Sequence, residues 1–280
     1  MSDANGLVGD VAASQLGKAT AYPQHYDAGL LFPIPRQTKR DELHISAQKL
    51  PFTGVDVWNA YEISWLNPKG KPMVAIGQFT LRADTPNIIE SKSFKLYLNS
   101  FNASRFDSQA AVARIMEQDL SAAAGGKIKV HLSSLNQEPC LVSDIDRAEC
   151  LDFQDLDIDT YQVNPDFLHA GNQYAEEAFY SHLLKSNCLV TGQPDWGTVV
   201  IRYRGPKIDR AGLLRYIISF RDHNEFHEQC VERMFCDIQR QCQPDALTVY
   251  ARYVRRGGLD INPFRSNFQS EAVMPRLVRQ

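Results

Sequence analysis

The feature that most constrains this chain is a repeat inside it. Displacing the first half by 119 residues lays Tyr97 on Tyr216, Ser100 on Ser219 and Phe101 on Phe220. The same displacement lays Val112 on Val231, Arg114 on Arg233 and Val130 on Val249, without a gap. These identities are few. The shared order of elements and their matched apolar positions carry the case for duplication. Such a chain is expected to fold as two diverged copies of one small α+β unit, and 280 residues suit two ordinary domains.

In the first copy, residues 57–65 have strand composition, 68–72 form a turn, and 73–81 return as a second strand. Residues 90–98 read as polar groups entering an apolar strand. The first helix is expected after Ser104, with Asp107 three residues on. Val112, Ile115, Met116 and Leu120 form its apolar face, and Gly125-Gly126 stops it. Ile128, Val130 and Leu132 alternate as a strand. In the second copy, 198–202 and 213–220 read as strands. Asn224 is a candidate cap for a helix with Val231, Met234, Phe235 and Ile238 on one face. Leu247, Val249 and Ala251 close the copy as a strand. The expected layout is an irregular arm (1–50), a first module (51–143), an acidic, proline-containing linker (144–166) and a second module (167–280).

Composition narrows the classes. The net charge of -3 argues against a general nucleic-acid or membrane surface, though a local basic pocket remains compatible with it. No uncharged run approaches the length of a membrane span. Residues 1–17 lack a basic start followed by an apolar core, so no secretory signal is expected there. The six cysteines contain no C-x-x-C pair and are expected as free thiols in a reducing, cytoplasmic setting.

The copies differ where chemistry is expected. Glu90-Ser91-Lys92 faces Asp209-Arg210-Ala211, His227-Glu228 faces Ser108-Gln109, and Cys188 faces Pro68 or Lys69. Each copy keeps polar groups that the other lacks, which predicts one composite site per chain. Cys188 lies in a turn-rich segment, 186–197, with Asp195 seven residues on. A thiol with a pKa of about 8.5 needs a base or a positive charge to react at neutral pH. A carboxylate does not favour the thiolate by charge, but it can accept the thiol proton and return it to a developing anion. That suits addition of sulfur to a carbon–nitrogen multiple bond. A loop cysteine near a surface aspartate is the plain alternative.

His227-Glu228 opens a helix. The histidine can move protons near neutral pH, and the carboxylate can accept two N–H groups from the edge of a flat heterocycle. A solvated first helical turn reads equally well. His223, His227 and Cys230 also have spacing compatible with zinc. The 90–98 run reads alternatively as an edge strand guarded by lysines. Arg255-Arg256-Gly257-Gly258 follows the last strand and can approach phosphate oxygens, or form a solvated turn. No G-x-G-x-x-G follows a strand, so a nicotinamide cofactor would not sit on a Rossmann turn.

Taken together, Glu90-Ser91-Lys92-Ser93-Phe94-Lys95-Leu96-Tyr97, the loop 186–197 with Cys188 and Asp195, and Phe226-His227-Glu228 resemble one family. It is that of the NADPH-dependent 7-cyano-7-deazaguanine reductases, nitrile reductases of queuosine biosynthesis, in their longer two-module form. The resemblance covers nearly the whole chain. It implies tandem tunnelling-fold modules, each an antiparallel sheet with helices on one face. It implies two NADPH consumed per nitrile, with Cys188 attacking the nitrile carbon to form a thioimide and Asp195 donating a proton. Ile89, Glu90, Ser91, His227 and Glu228 would then hold the deazapurine, with His227 also assisting proton transfer. Ser91, Lys92, Arg256 and Gly257 would hold NADPH. The resemblance further implies no metal, no direct nucleic-acid partner, and pairing of copies as a homodimer. A zinc-dependent cyclohydrolase of the same fold and a non-catalytic purine-binding module are the competing functions.

Overall fold

The computed structural model describes residues 25–134, 145, 147–270 and 276–277. Cys140 and the first 24 residues of the expected arm lie outside them. The chain divides into two compact units. Unit 1 comprises 1–48, 57–139 and 255–260; unit 2 comprises 49–56, 140–254 and 261–280. Both mix antiparallel strands with helices.

Unit 1 begins with a short strand, β1 (Pro33–Pro35), and a helix, α1 (Gln37–Glu42), so the arm contains regular structure. β1 pairs antiparallel with β4 (Asn87–Ile89), placing Pro33 opposite Ile89. The sheet runs in the order β5 (Ile128–Ser133), β3 (Pro72–Arg82), β2 (Thr53–Leu66, from residue 57 onward in this unit). Its alternating apolar residues bury Trp58, Phe79 and Leu81.

Residues 90–98 are helical, not the expected strand; α2 spans Ser91–Ser100. Phe94, Leu96 and Leu98 alternate and suggest a strand. The deciding set is Phe94, Tyr97, Leu98 and Phe101, spaced at i, i+3, i+4, i+7 and all buried. Phe94 meets Trp58 and Phe79 edge-on, with ring centroids 5.1 and 4.9 Å apart. The next helix, α3 (Gln109–Ala124), begins later than expected. Ser108 caps it by accepting from Ala111 N, and Gly125 ends it at φ 72°. Ser104 serves another purpose, accepting from the Tyr26 N–H at 2.8 Å.

Unit 2 has the order β11 (Leu259–Ser266, from residue 261 onward), β10 (Ala246–Tyr253), β9 (Pro194–Ile208), β7 (Ala170–Ser181), β6 (Glu149–Cys150). β8 (Lys185–Asn187) adds to β9. β6 arises within the expected linker and pairs parallel with β7, so that linker is partly structural. Every residue of β10 is buried, which explains its dense apolar composition. Residues 213–220, expected as a strand, lie largely in α4 (Arg210–Ser219), with Leu213, Tyr216, Ile217 and Phe220 at helical spacing. The last helix is α5 (His227–Cys242). Asn224 does not cap it. Phe226 is the cap position without a side-chain bond, and Asn224 instead accepts from Asn187 Nδ2 at 3.1 Å.

The repeated residues carry repeated bonds. Ser100 Oγ donates to the Tyr97 carbonyl and Ser219 Oγ to that of Tyr216, both at 2.6 Å. Tyr97 Oη donates to Asp119 and Tyr216 Oη to Asp237, both at 2.7 Å. In unit 2 the fully buried Arg265 reaches Asp56 at 2.8 Å and Glu232 at 2.9 Å, tying the start of β2 to α5.

Candidate active site

The β8–β9 hairpin organises the candidate site of unit 2. Its register places Ser186 opposite Asp195 and Asn187 opposite Pro194. Cys188 follows β8 and closes the turn from both sides. Its N–H donates to Gln193 O at 2.9 Å, and its carbonyl accepts from Gly192 N at 3.0 Å. Gly192 has φ 65°, the left-handed conformation that this reversal requires. Cys188 is buried, 7% exposed, and Asp195 is 4% exposed. The thiol therefore belongs to a folded turn next to the strand carrying Asp195, and that aspartate is buried, not at the surface.

His227 starts α5, and its Nε2 lies 3.2 Å from Asp195 Oδ2. The structure thus joins two of the three expected catalytic residues directly. His227 Nδ1 is buried and has no hydrogen-bond partner among the described residues. Glu228 is buried in the same first turn, 2% exposed, so the solvated-turn reading fails. Gln229 beside it is also buried, and neither atom of its amide has a partner among the described residues. Such groups carry a desolvation cost that a polar ligand would relieve.

The segment leading into α5 is pinned by Glu225. Its carboxylate receives Arg233 Nε at 3.0 Å and Nη2 at 2.7 Å, and it lies 2.9 Å from His223 Nε2. Burial alone would raise its pKa. The hydrogen bonds from His223 and Arg233 reverse that and hold it at about 2. Asn187 and Glu225 are also joined through their backbones at 3.2 Å, so the clamp reaches the hairpin next to Cys188.

His223, His227 and Cys230, the residues with zinc-compatible spacing, have other partners or surroundings here. His223 is committed to Glu225 and His227 to Asp195. Burial pushes the Cys230 thiol well up. Among the described residues no group of three candidate ligands could hold a metal. Burial likewise raises Cys236 to about 12 and Cys242 to about 11.

Unit 1 holds the other expected residues. Glu90 precedes α2 and caps it, accepting from Lys92 N at 2.7 Å and Ser93 N at 2.8 Å. It is 1% exposed. Burial raises its pKa, opposed by those N–H bonds and by Lys92. An ionised carboxylate has roughly four acceptor positions, so capping leaves capacity for ligand N–H groups. Ile89 is buried at the end of β4, while Ser91 and Lys92 are half-buried in the first turn of α2. Lysines do not guard an edge strand here; Lys95 pairs with Glu62.

Arg256 and Gly257 lie on a tight reversal between β10 and β11. Arg256 and Leu259 exchange backbone bonds at 2.8 and 3.0 Å, and Gly257 and Gly258 both have positive φ, 55° and 79°. This matches a two-residue hairpin turn in which glycine is favoured at both central positions. Apart from Gly257 and its chain neighbours, no atom of the described residues lies within 4 Å of the position a Gly257 Cβ would take, so a ligand can approach its backbone.

Two parts of the site escaped the sequence reading. Tyr253, the last residue of β10, stacks on His227 with centroids 3.8 Å apart and planes 4° from parallel. It reads in sequence as one more apolar strand position. The His223–Glu225–Arg233 clamp escaped too, although the i, i+8 spacing from Glu225 to Arg233 brings them together once a helix starts at 227.

Comparison with known proteins follows the same lines. Residues 22–132 match the family described as "Nitrile reductase, 7-cyano-7-deazaguanine-reductase N-term", and 194–272 match the one described as "QueF-like protein". A protein of Azoarcus sp. (strain BH72), named NADPH-dependent 7-cyano-7-deazaguanine reductase, is 59% identical over 95% of both chains. One of the same name from Hydrogenovibrio crunogenus is 58% identical over 95% of this chain and 96% of its own. Another from Dechloromonas aromatica is 63% identical over 91% of this chain and 90% of its own. At that identity over almost its full length, the chain belongs to the NADPH-dependent 7-cyano-7-deazaguanine reductase family.

Proposed function

We propose that this chain reduces the nitrile 7-cyano-7-deazaguanine to 7-aminomethyl-7-deazaguanine, oxidising two NADPH, in queuosine biosynthesis. The observation that carries the reading is the buried contact between Asp195, on the hairpin that also bears Cys188, and His227 at the start of α5. A nitrile is a weak electrophile, and covalent capture holds its carbon in place for two successive reductions. Asp195 takes the Cys188 thiol proton and passes it to the nitrile nitrogen as the sulfur adds to the nitrile carbon, giving a thioimide. NADPH, which Ser91, Lys92, Arg256 and Gly257 would hold, would supply the two hydrides, one for each reduction. Between these steps the C–S bond breaks and Cys188 leaves as thiolate. His227, hydrogen-bonded to Asp195, relays the protons that the nitrogen takes up.

Glu90 and Glu228 accept N–H groups of the guanine-like edge, with Ile89, Ser91 and His227 at the same ligand. Lys92 and Arg256 supply positive charge for NADPH phosphates, and Ser91 and Gly257 supply polar contact and close backbone approach. The open position at Gly257 fits that assignment. The fold reading is two tandem tunnelling-fold modules, residues 51–143 and 167–280, with an arm at 1–50 and a linker at 144–166. The equivalent helices α2 and α4, with their matched tyrosine and serine hydrogen bonds, support it. No described helix is long and apolar enough to cross a membrane. The free thiols among the described residues fit a reducing, cytoplasmic setting, and the copies are taken to pair as a homodimer.

The test is an intact mass measured after adding the cyano-deazaguanine base without NADPH. An adduct on the parent, absent from Cys188→Ala, is expected, together with NADPH oxidation when both reactants are present. No adduct and no oxidation would sink the reading in favour of a purine-binding module.

A further inference from the structure

We propose that Tyr253 is a positioning residue for the reduction, a flat wall that fixes the plane of the His227 imidazole so that Nε2 meets Asp195. This rests on the functional reading above. His227 sits at the start of a helix whose cap makes no side-chain bond, and its ring has free rotation about two bonds. One hydrogen bond, to Asp195, fixes a direction but not a plane. The Tyr253 ring supplies the plane, lying 3.8 Å away and 4° from parallel.

Tyr253 is built to stay there. It is wholly buried at the end of β10, and its N–H donates to Asn262 Oδ1 at 3.1 Å. Its partner in register is Gly197, two residues after Asp195. A Cβ at Gly197 would lie 3.2 and 3.3 Å from the Tyr253 ring edge. The absence of a side chain at 197 therefore gives the ring its place. The run Asp195-Trp196-Gly197 carries both the proton donor and the space for the ring that orients its partner.

The experiment compares Tyr253→Phe, Tyr253→Leu and Gly197→Ala, each in the parent and in a His227→Ala background, reading kcat and KM for the nitrile and the rate of adduct formation. The phenylalanine variant retains a flat ring and is expected to stay close to the parent. The leucine variant is expected to lose about 10-fold or more in kcat with little change in KM. In the His227→Ala background neither Tyr253→Leu nor Gly197→Ala should cause a further loss. Gly197→Ala crowds the ring without removing it, so it tests the idea even if the leucine variant does not fold. An unchanged kcat in the leucine and Gly197 variants, or equal losses with and without His227, would overturn the inference. Failure of the parent itself to reduce the nitrile would instead overturn the functional reading.

Discussion

Glu90 and Asp209 hold equivalent posts in the two copies, each carboxylate closing the first turn of a helix. Glu90 accepts from Lys92 and Ser93 at the start of α2, and Asp209 accepts from Gly212 at the start of α4. The capping task is shared, so any difference between them in catalysis isolates the second task given to Glu90. Glu90→Gln is expected to raise KM for the deazapurine by about 10- to 100-fold, the worth of a hydrogen bond to a charged acceptor. Asp209→Asn should leave KM unchanged. Each should cost no more than about 1 kcal/mol of stability. Steady-state kinetics beside denaturant unfolding separates the two effects.

Asp195→Asn removes the proton source while keeping the shape of the hairpin. The thioimide should then form about 100-fold more slowly or worse. A time course of the intact mass measures this. Adduct formation at the parent rate would show that the nitrogen takes its proton elsewhere.

Glu225 sets a pH dependence of stability. Its folded pKa, about 2, lies below the ordinary value of 4.5, so its stabilisation is fully present above about 4.5 and is lost as pH falls towards 2. The gap corresponds to about 3 kcal/mol. Urea unfolding at a series of pH values should show this decline in the parent. The Glu225→Gln variant should be less stable at pH 7 and should show a flatter acid limb.

Arg265 is wholly buried between Asp56 and Glu232. Arg265→Met leaves two carboxylates in the interior without their cation, and roughly 3–5 kcal/mol of stability should be lost. Replacing all three by apolar residues should recover much of it. Thermal and denaturant unfolding of the single and triple variants provides the check.

Strands β2, β3, β5 and β10 and helices α3 and α5 were legible because their apolar periods are unmixed, whereas β7 and β11 were not read as strands. Ile128 to Leu132 alternate, and Val112 to Leu120 and Val231 to Ile238 keep helical spacing. Helices α2 and α4 were not, because strand-like alternation at Phe94, Leu96 and Leu98 overlies the helical set. Packing of Phe94 on Trp58 and Phe79 decides between them, and that contact is invisible in a local window. Caps failed similarly. Ser104 and Ser108 are both good cap residues, and Ser104 is claimed by Tyr26, 78 positions away in sequence. Motif chemistry was readable at Cys188, Asp195 and His227 as residue types. The 3.2 Å meeting of the last two depends on where α5 starts relative to β9. Tyr253 had no local signal, since its role comes from the register that sets it opposite Gly197.

The burial of thiols along α5 has a practical consequence for labelling. Cys230, Cys236 and Cys242 are all held protonated at neutral pH, so they are poor nucleophiles towards haloacetamides or activated nitriles. Three of the five described cysteines are thereby withdrawn from competition. With Cys140 and Cys150 replaced beforehand, an electrophilic probe shaped like the base should modify the chain at one position, Cys188.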